Sequence, residues 1–160
     1  GLVYLIEALK SVTETHPDVL LCVVGAGPEE ESIFSLVEKL SLKQSITFLG
    51  RVPHESIPVY LNAADILCLP SLREGCPNIV LESLSSGTPV VASNVGAVPD
   101  QISNGSLGVL VEPENSTDLA RGLVEAVEKD WSINDTFEWM SWAENAQEIS
   151  RSFDKVLSIK

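Results

Sequence analysis

The chain has 160 residues, 44% of them hydrophobic and 21% charged, a balance that fits one globular domain and excludes a disordered segment. A net charge of −13 argues against a nucleic-acid-binding face, which needs clustered Lys and Arg, but leaves room for an anion site made of backbone N–H groups. No apolar run reaches the roughly 18 residues of a membrane span and no basic-then-apolar stretch reads as a signal peptide, so membrane association is not indicated.

From the N-terminus, Leu2, Leu5, Ile6 and Leu9 recur at helical spacing and predict an amphipathic helix over 2–14. "VLLCVV" (19–24) is a wholly apolar run of strand length, and Pro28 then opens a helix with Ile33, Leu36, Val37 and Leu40 on one face. "ITFL" (46–49) is the next strand, followed by a helix near 56–63 and the strand "ILCL" (66–69). A helix after Pro77 ends at Gly87, a residue suited to the left-handed position beyond a helix end. "VVAS" (90–93), a short helical turn near 98–102, a turn at "NGS" and the strand "GVLVE" (108–112) come next. Ser116 starts a helix carrying Leu119, Leu123, Val124 and Val127. Ser141-x-x-Glu144 is a capping box that opens a last helix, about 141–159, with Ile149, Phe153 and Val156. The loosest stretch is 129–141.

Short, continuously apolar strands alternating with helices predict a doubly wound, Rossmann-like α/β domain, a parallel sheet with helices on both faces. The whole chain reads as one domain, with its core in 1–128. Cys22 and Cys68 lie within apolar runs and read as reduced, buried small hydrophobes of a cytoplasmic protein. Opening at Gly1 with no strand before the first helix, the chain is expected to be cut from something longer.

Ligands of such sheets sit beyond the carboxyl ends of the strands. Those ends here are Gly25-Ala26-Gly27, Gly50-Arg51-Val52, Pro70 to Pro77, Asn94-Val95-Gly96 and Glu112. "VVGAGPEEE" opens like a dinucleotide fingerprint, but Glu30 stands where the third glycine belongs. Glu29, Glu30 and Glu31 also fill the start of the helix and would repel a pyrophosphate, which argues against a nicotinamide cofactor at this turn.

The helix inside "REGCPNIVLESLSSGTPVV" (73–91) is built the other way. At about 100° per residue, Ile79, Val80, Leu81 and Leu84 share one broad face, opposite Asn78, Glu82, Ser85 and Ser86. Its first turn holds no carboxylate, so its free N–H groups remain open to an anion. Glu74 stands before it and Glu82 a turn inside it, with seven residues between them. An acid for one hydroxylated group, a bare helix end for phosphate and a second acid for another hydroxylated group suit a nucleotide sugar. A surface helix with two solvated glutamates fits the same residues equally well.

"VVGAGPEEESI", "ITFLGRVPHESIPVYLNAADILCLPS", "EGCPNIVLESLSSGTPVVAS" and "GVLVEPENSTDLARGL" resemble the C-terminal, donor-binding domain of family 4 retaining glycosyltransferases, which have the GT-B fold of two facing Rossmann-like domains. The most specific element is E-x7-E, Glu74 to Glu82, with its Gly75-x-Pro77 insert. The resemblance implies that Glu82 binds the ribose hydroxyls and that Glu74, the catalytic-site acid, contacts the transferred sugar. It implies that backbone N–H groups around Gly75, Cys76, Pro77, Asn78 and Ile79 hold the diphosphate. Arg51 and Val52 would face the base, with Gly25 and Gly27 lining the same cleft. Cys76 departs from the aromatic residue that relatives often carry there.

Such enzymes use a nucleoside diphosphate sugar as donor and need neither cofactor nor divalent metal; this chain has no Asp-x-Asp. Relatives also carry an Arg and a Lys for the donor phosphates, a first strand and an acceptor-binding domain upstream of the segment equivalent to Gly1. The resemblance therefore implies a donor-binding fragment, inactive alone, whose acceptor is unknown and whose sheet keeps strands 2 to 6 of the order 3-2-1-4-5-6. In that order Cys22 and Cys68 lie on the two strands flanking the missing one. A GT-B sugar-nucleotide epimerase or phosphorylase, and a non-catalytic nucleotide-sugar-binding scaffold, remain open alternatives. His16 and His54 read as loop histidines and Trp131, Trp139 and Trp142 as packing anchors of the tail.

Overall fold

The computed structural model describes residues 1–102, 105–133 and 141–158. Its elements are α1 (Leu2–Thr15), β1 (Leu21–Val24), α2 (Glu30–Lys39), β2 (Ile46–Gly50), a 3-10 turn (His54–Ser56), α3 (Ile57–Ala63), β3 (Leu67–Leu69), α4 (Asn78–Ser85), β4 (Val90–Ser93), α5 (Val98–Gln101), β5 (Gly108–Val111), α6 (Ser116–Glu128) and α7 (Trp142–Leu157). Each strand and helix read from the periodicity is present within a few residues. Part of the "NGS" turn and residues 134–140 of the loose stretch, Trp139 among them, lie outside the described residues, as does the side chain of Trp142.

All pairings are parallel. β1 pairs with β2, placing Leu21 opposite Ile46, and β4 lies between β3 and β5, with Val90 opposite both Leu67 and Gly108. The five strands thus form a two-stranded and a three-stranded sheet. "VLLCVV" does not pair with "ILCL", but Leu21 of β1 and Cys68 of β3 pack against one apolar cluster. Within each sheet the neighbours follow the expected order.

The three-stranded sheet is covered on both faces. Val90 and Ala92 face Val80 and Leu84 of α4 and Val98 of α5, while Val91 faces Leu5 and Ala8 of α1 and Leu119 and Ala126 of α6. β4 is accordingly buried along its whole length, as its continuous apolar run requires. α1 also reaches the other sheet, where Ile6 and Leu9 join Ile33 and Val37 of α2 over Leu21 and Val23. Its two apolar edges tie the two sheets to one helix.

Two readings are corrected. Cys22 is exposed rather than buried, because β1 alternates: Leu21 and Val23 point into the core and Cys22 and Val24 point away. Cys68 keeps some exposure as a residue, yet its thiol is deep enough for burial to push its pKa up to about 12, so it stays neutral. On α6 the buried residues are Leu119, Gly122 and Ala126, whereas Val127 is exposed. Gly122 faces the sheet because a Cβ there would come within 2.5 Å of a Val111 methyl. Small residues take the closest approach and larger ones flank it.

Helix starts are set locally. Asn115 caps α6 by accepting the Asp118 N–H at 2.9 Å. The box opening α7 forms in both directions: Ser141 N–H donates to Glu144 Oε2 at 2.8 Å and Glu144 N–H donates to Ser141 Oγ at 3.3 Å. Trp131 donates its indole N–H to the Ala126 carbonyl at 2.8 Å, anchoring the chain where it leaves α6. No helix among the described residues is long and apolar enough to cross a membrane.

Candidate functional site at the carboxyl ends of the strands

The turn leaving β1 is drawn to the end of β2 by a bond from the Gly25 N–H to the Gly50 carbonyl, 2.7 Å. Both glycines have positive φ, 127° and 67°, in open space, so they serve the turn and not a packing contact. The Gly27 N–H donates to Glu30 Oε1 at 3.3 Å, and Glu30 and Glu31 occupy the first turn of α2. The protein's own carboxylates complement this helix end. Arg51 just beyond β2 is exposed and Val52 half-buried.

The turn leaving β3 is built differently. Ser71 Oγ donates to Glu74 Oε1 at 2.6 Å, which holds the half-buried Glu74 carboxylate against its own loop. The Gly75 carbonyl accepts the Ala97 N–H at 2.8 Å, and Gln101 Nε2 donates to the Pro77 carbonyl at 3.2 Å and to Cys76 Sγ at 3.5 Å. Gln101 Oε1 is buried and has no partner among the described residues. The β4–α5 segment thus buttresses the loop from behind. Close approach of the two segments requires Gly96: its φ is 56°, and a Cβ there would lie 2.4 Å from the Glu74 carbonyl oxygen and 2.6 Å from that of Gly75.

Beyond this loop Pro77, extended at φ −72° and ψ 117°, leads into α4 with no side-chain cap and no acid in the first turn. Pro77 is buried, Gly75, Cys76 and Asn78 are exposed and Ile79 is half-buried. The other end of α4 is fixed by a buried relay: Ser83 Oγ donates to the Thr88 carbonyl at 2.9 Å and Thr88 Oγ1 donates to the Leu61 carbonyl of α3 at 2.7 Å. Val80 and Leu84 are fully buried, worth about 1.5–3 kcal/mol each. The bare end therefore belongs to a firmly seated helix.

Glu82, one turn in, points away from those buried residues, with Oε1 3.3 Å from His54 Nε2. This contact brings the β2–α3 loop, and with it Arg51 and Val52, to the side of α4. The structure thus links Gly25 to Gly50, Glu82 to the His54 loop, and Glu74 and Gly75 to Gly96 and Ala97. The two glutamates do not share a partner: Glu74 engages Ser71 and Glu82 engages His54. Reading the sequence missed Ser71, Gly96 and Gln101 as supports and left His54 as a loop histidine, since all but Ser71 act across more than 20 residues of chain. Only Gly96, a glycine at the end of a strand, carried a signal that could have found it. A groove of about 330 Å³ between α1 and α6, lined by Val12, His16, Val124 and Glu128 among others, contains none of these residues.

A parallel α/β domain with its specialised loops at the strand ends is one half of a GT-B architecture. The chain belongs to the glycosyl transferases group 1 family, whose sequence model matches residues 1–157. It is 31% identical over 157 residues to an uncharacterized glycosyltransferase of Methanocaldococcus jannaschii, covering 92% of this chain and 40% of that protein. It resembles the solved C-terminal domain of a glycosyl transferase group 1 family protein from Francisella tularensis, with TM-score 0.73 and 30% identity over 81% of this chain and 69% of that one. An Anabaena protein solved in complex with UDP-glucose matches with TM-score 0.71 and 27% identity, over 78% of this chain and 35% of that one. The chain spans less than half the length of the curated relatives it matches.

Proposed function

We propose that this domain binds the nucleoside diphosphate sugar donor of a retaining glycosyltransferase, which moves the sugar to an acceptor held mainly by another part of the protein. The observation that carries this reading is the uncapped, acid-free start of α4, set between the Glu74 loop and the Glu82 carboxylate. The diphosphate lies on the N–H groups around Gly75 to Ile79, which meet its growing negative charge as the sugar departs. Glu82 accepts the ribose hydroxyls. Glu74, held by Ser71, accepts hydroxyls of the sugar and fixes its orientation. Arg51 and Val52 face the base, with Gly25 and Gly27 on the same cleft. No metal or cofactor takes part in this scheme, and the domain alone is inactive because it lacks the acceptor site. The Anabaena relative's UDP-glucose supports a nucleotide sugar as donor.

The test separates the glutamates in the intact protein. Glu82→Ala removes charge-assisted hydrogen bonds and is expected to weaken UDP binding by about 1.5–3 kcal/mol in calorimetry. Glu74→Ala is expected to leave UDP binding near wild type while depressing turnover with a UDP-sugar, since its contacts are to the sugar alone. Unchanged UDP affinity in the Glu82 variant removes the ribose assignment. Equal losses of UDP binding in the two variants overturn the placement of the donor.

A further inference from the structure

Glu82 and His54 are both too exposed for packing to hold them: the Glu82 side chain keeps 33% of its accessible surface and the His54 ring 81%. The carboxylate of Glu82 nevertheless has one polar partner among the described residues, the His54 Nε2 at 3.3 Å. That partner is well placed to restrain it. His54 opens the 3-10 turn His54–Ser56, which runs directly into α3, and α3 is tied to the far end of α4 through the Leu61 carbonyl and Thr88 Oγ1. Pro53 ahead of it and Pro58 within the first turn of α3 limit the backbone on both sides. The ring therefore hangs from a stiff segment referenced to the same helix that carries Glu82.

A carboxylate offers about four acceptor positions, and one ring N–H uses one of them. Both Glu82 oxygens can therefore still accept from a cis-diol while His54 remains in place. A free glutamate on an open helix face samples several rotamers, and ordering it on binding has an entropic cost that a prior restraint removes. We propose that His54 is a positioning residue of the nucleotide site: it holds the Glu82 carboxylate in the rotamer that receives the ribose hydroxyls, and so sets discrimination for ribonucleotides over deoxyribonucleotides. The inference rests on the ribose assignment of Glu82 made above.

The experiment titrates the intact protein and its His54→Ala, His54→Gln and Glu82→Ala variants with UDP and with 2′-deoxy-UDP, with GDP and ADP pairs alongside. His54→Ala is expected to bind UDP about two- to fivefold more weakly, the range for an exposed charged contact, with little change for 2′-deoxy-UDP. His54→Gln, whose amide N–H can reach the same carboxylate, restores the preference. A lost preference that Gln restores is not produced by general damage to the loop, which weakens both nucleotides alike. Equal losses for the two, no loss at all, or failure of His54→Gln to recover the preference overturns the proposal. Glu82→Ala distinguishes the levels: if it leaves UDP binding intact, or if no ribonucleotide binds the wild type, the ribose assignment falls and the inference with it. If Glu82→Ala weakens UDP binding and His54→Ala does not, only the inference falls.

Discussion

The starts of α2 and α4 occupy equivalent places, each following a parallel strand and a glycine-containing turn at the same edge of its sheet, yet they are electrostatic opposites. At α2 the helix closes on itself: Glu30 accepts the Gly27 N–H and, with Glu31, answers the positive end of the helix dipole. At α4 no described residue does so: Pro77 supplies no side-chain cap and the first turn holds no acid. The start of α6 repeats the closed solution, with Asn115 capping and Asp118 in the first turn. α1 and α3 also lack an acid in the first turn. Of the helical starts that directly follow a described strand, however, that of α4 alone has none, while α2, the 3-10 turn, α5 and α6 each carry one. This contrast is what the proposed anion site rests on. On the proposed function, the turn before α2 serves the fold and the turn before α4 serves the ligand, and the residues after the glycines tell them apart.

The backbone sharpens the contrast most. Gly96 presses against the carbonyls of Glu74 and Gly75, whereas a Cβ on Gly27 would meet nothing within 4 Å. Gly96→Ala combines a left-handed backbone penalty with a clash against main chain, and is expected to destabilise by about 2–4 kcal/mol in urea denaturation. Gly27→Ala is expected to stay within about 0.5 kcal/mol of wild type. Near-equal costs would show that the β4–α5 segment does not brace the Glu74 loop.

That brace marks the boundary of what the sequence made legible. Local signals read well: the alternation of strands and helices, the Ser141–Glu144 box and the acid-free start of α4 each lie within a few residues of chain. Side chains meeting across distant segments did not. His54 reaches Glu82 across 28 positions and Gln101 reaches Cys76 across 25, with no periodicity to announce either. Which residues of α6 meet the sheet was not legible from its apolar positions alone. Gly122 faces the sheet, where a Cβ would come within 2.5 Å of a Val111 methyl, Ala126 is buried beside it, and Val127 lies on the exposed side. Cys22 was misjudged because "VLLCVV" reads as buried on both faces, a pattern that β4 fulfils and β1 does not.

The closed starts can be tested by acid. Arg121 Nε donates to Asp118 Oδ1 at 2.8 Å and the Glu112 N–H donates to Oδ2 at 2.7 Å. The bond from Arg121 first, and the Glu112 amide second, hold the carboxyl below its ordinary pKa against the opposing effect of burial. A group with a depressed folded pKa contributes its stability above the unfolded value, near about 4, and loses it as pH falls through the folded value. Asp118→Asn is therefore expected to cost about 1 kcal/mol at pH 7, and the gap to wild type should narrow as the pH falls below about 4. A gap that is the same at pH 7 and pH 3 would detach Asp118 from the closure of α6.

The smallest effect tests the comparison itself, because it converts the open helix start into a closed one. Asn78 is exposed in the first turn of α4, so Asn78→Asp adds a carboxylate without disturbing the core. By the rule that α2 and α6 obey, that charge should stabilise the domain by about 0.3–1 kcal/mol through the helix dipole. By the proposed function the same charge occupies the field meant for the diphosphate, so UDP should bind several-fold more weakly, and the penalty should shrink with added salt. Opposite signs for stability and affinity are the signature of a site left open for a ligand. Glu30→Gln at α2 supplies the control, with a loss of a few tenths of a kcal/mol in stability and no change in UDP binding. If Asn78→Asp gains stability and leaves UDP affinity untouched at low salt, the diphosphate does not lie at the start of α4, and the difference between the two helix starts has no bearing on function.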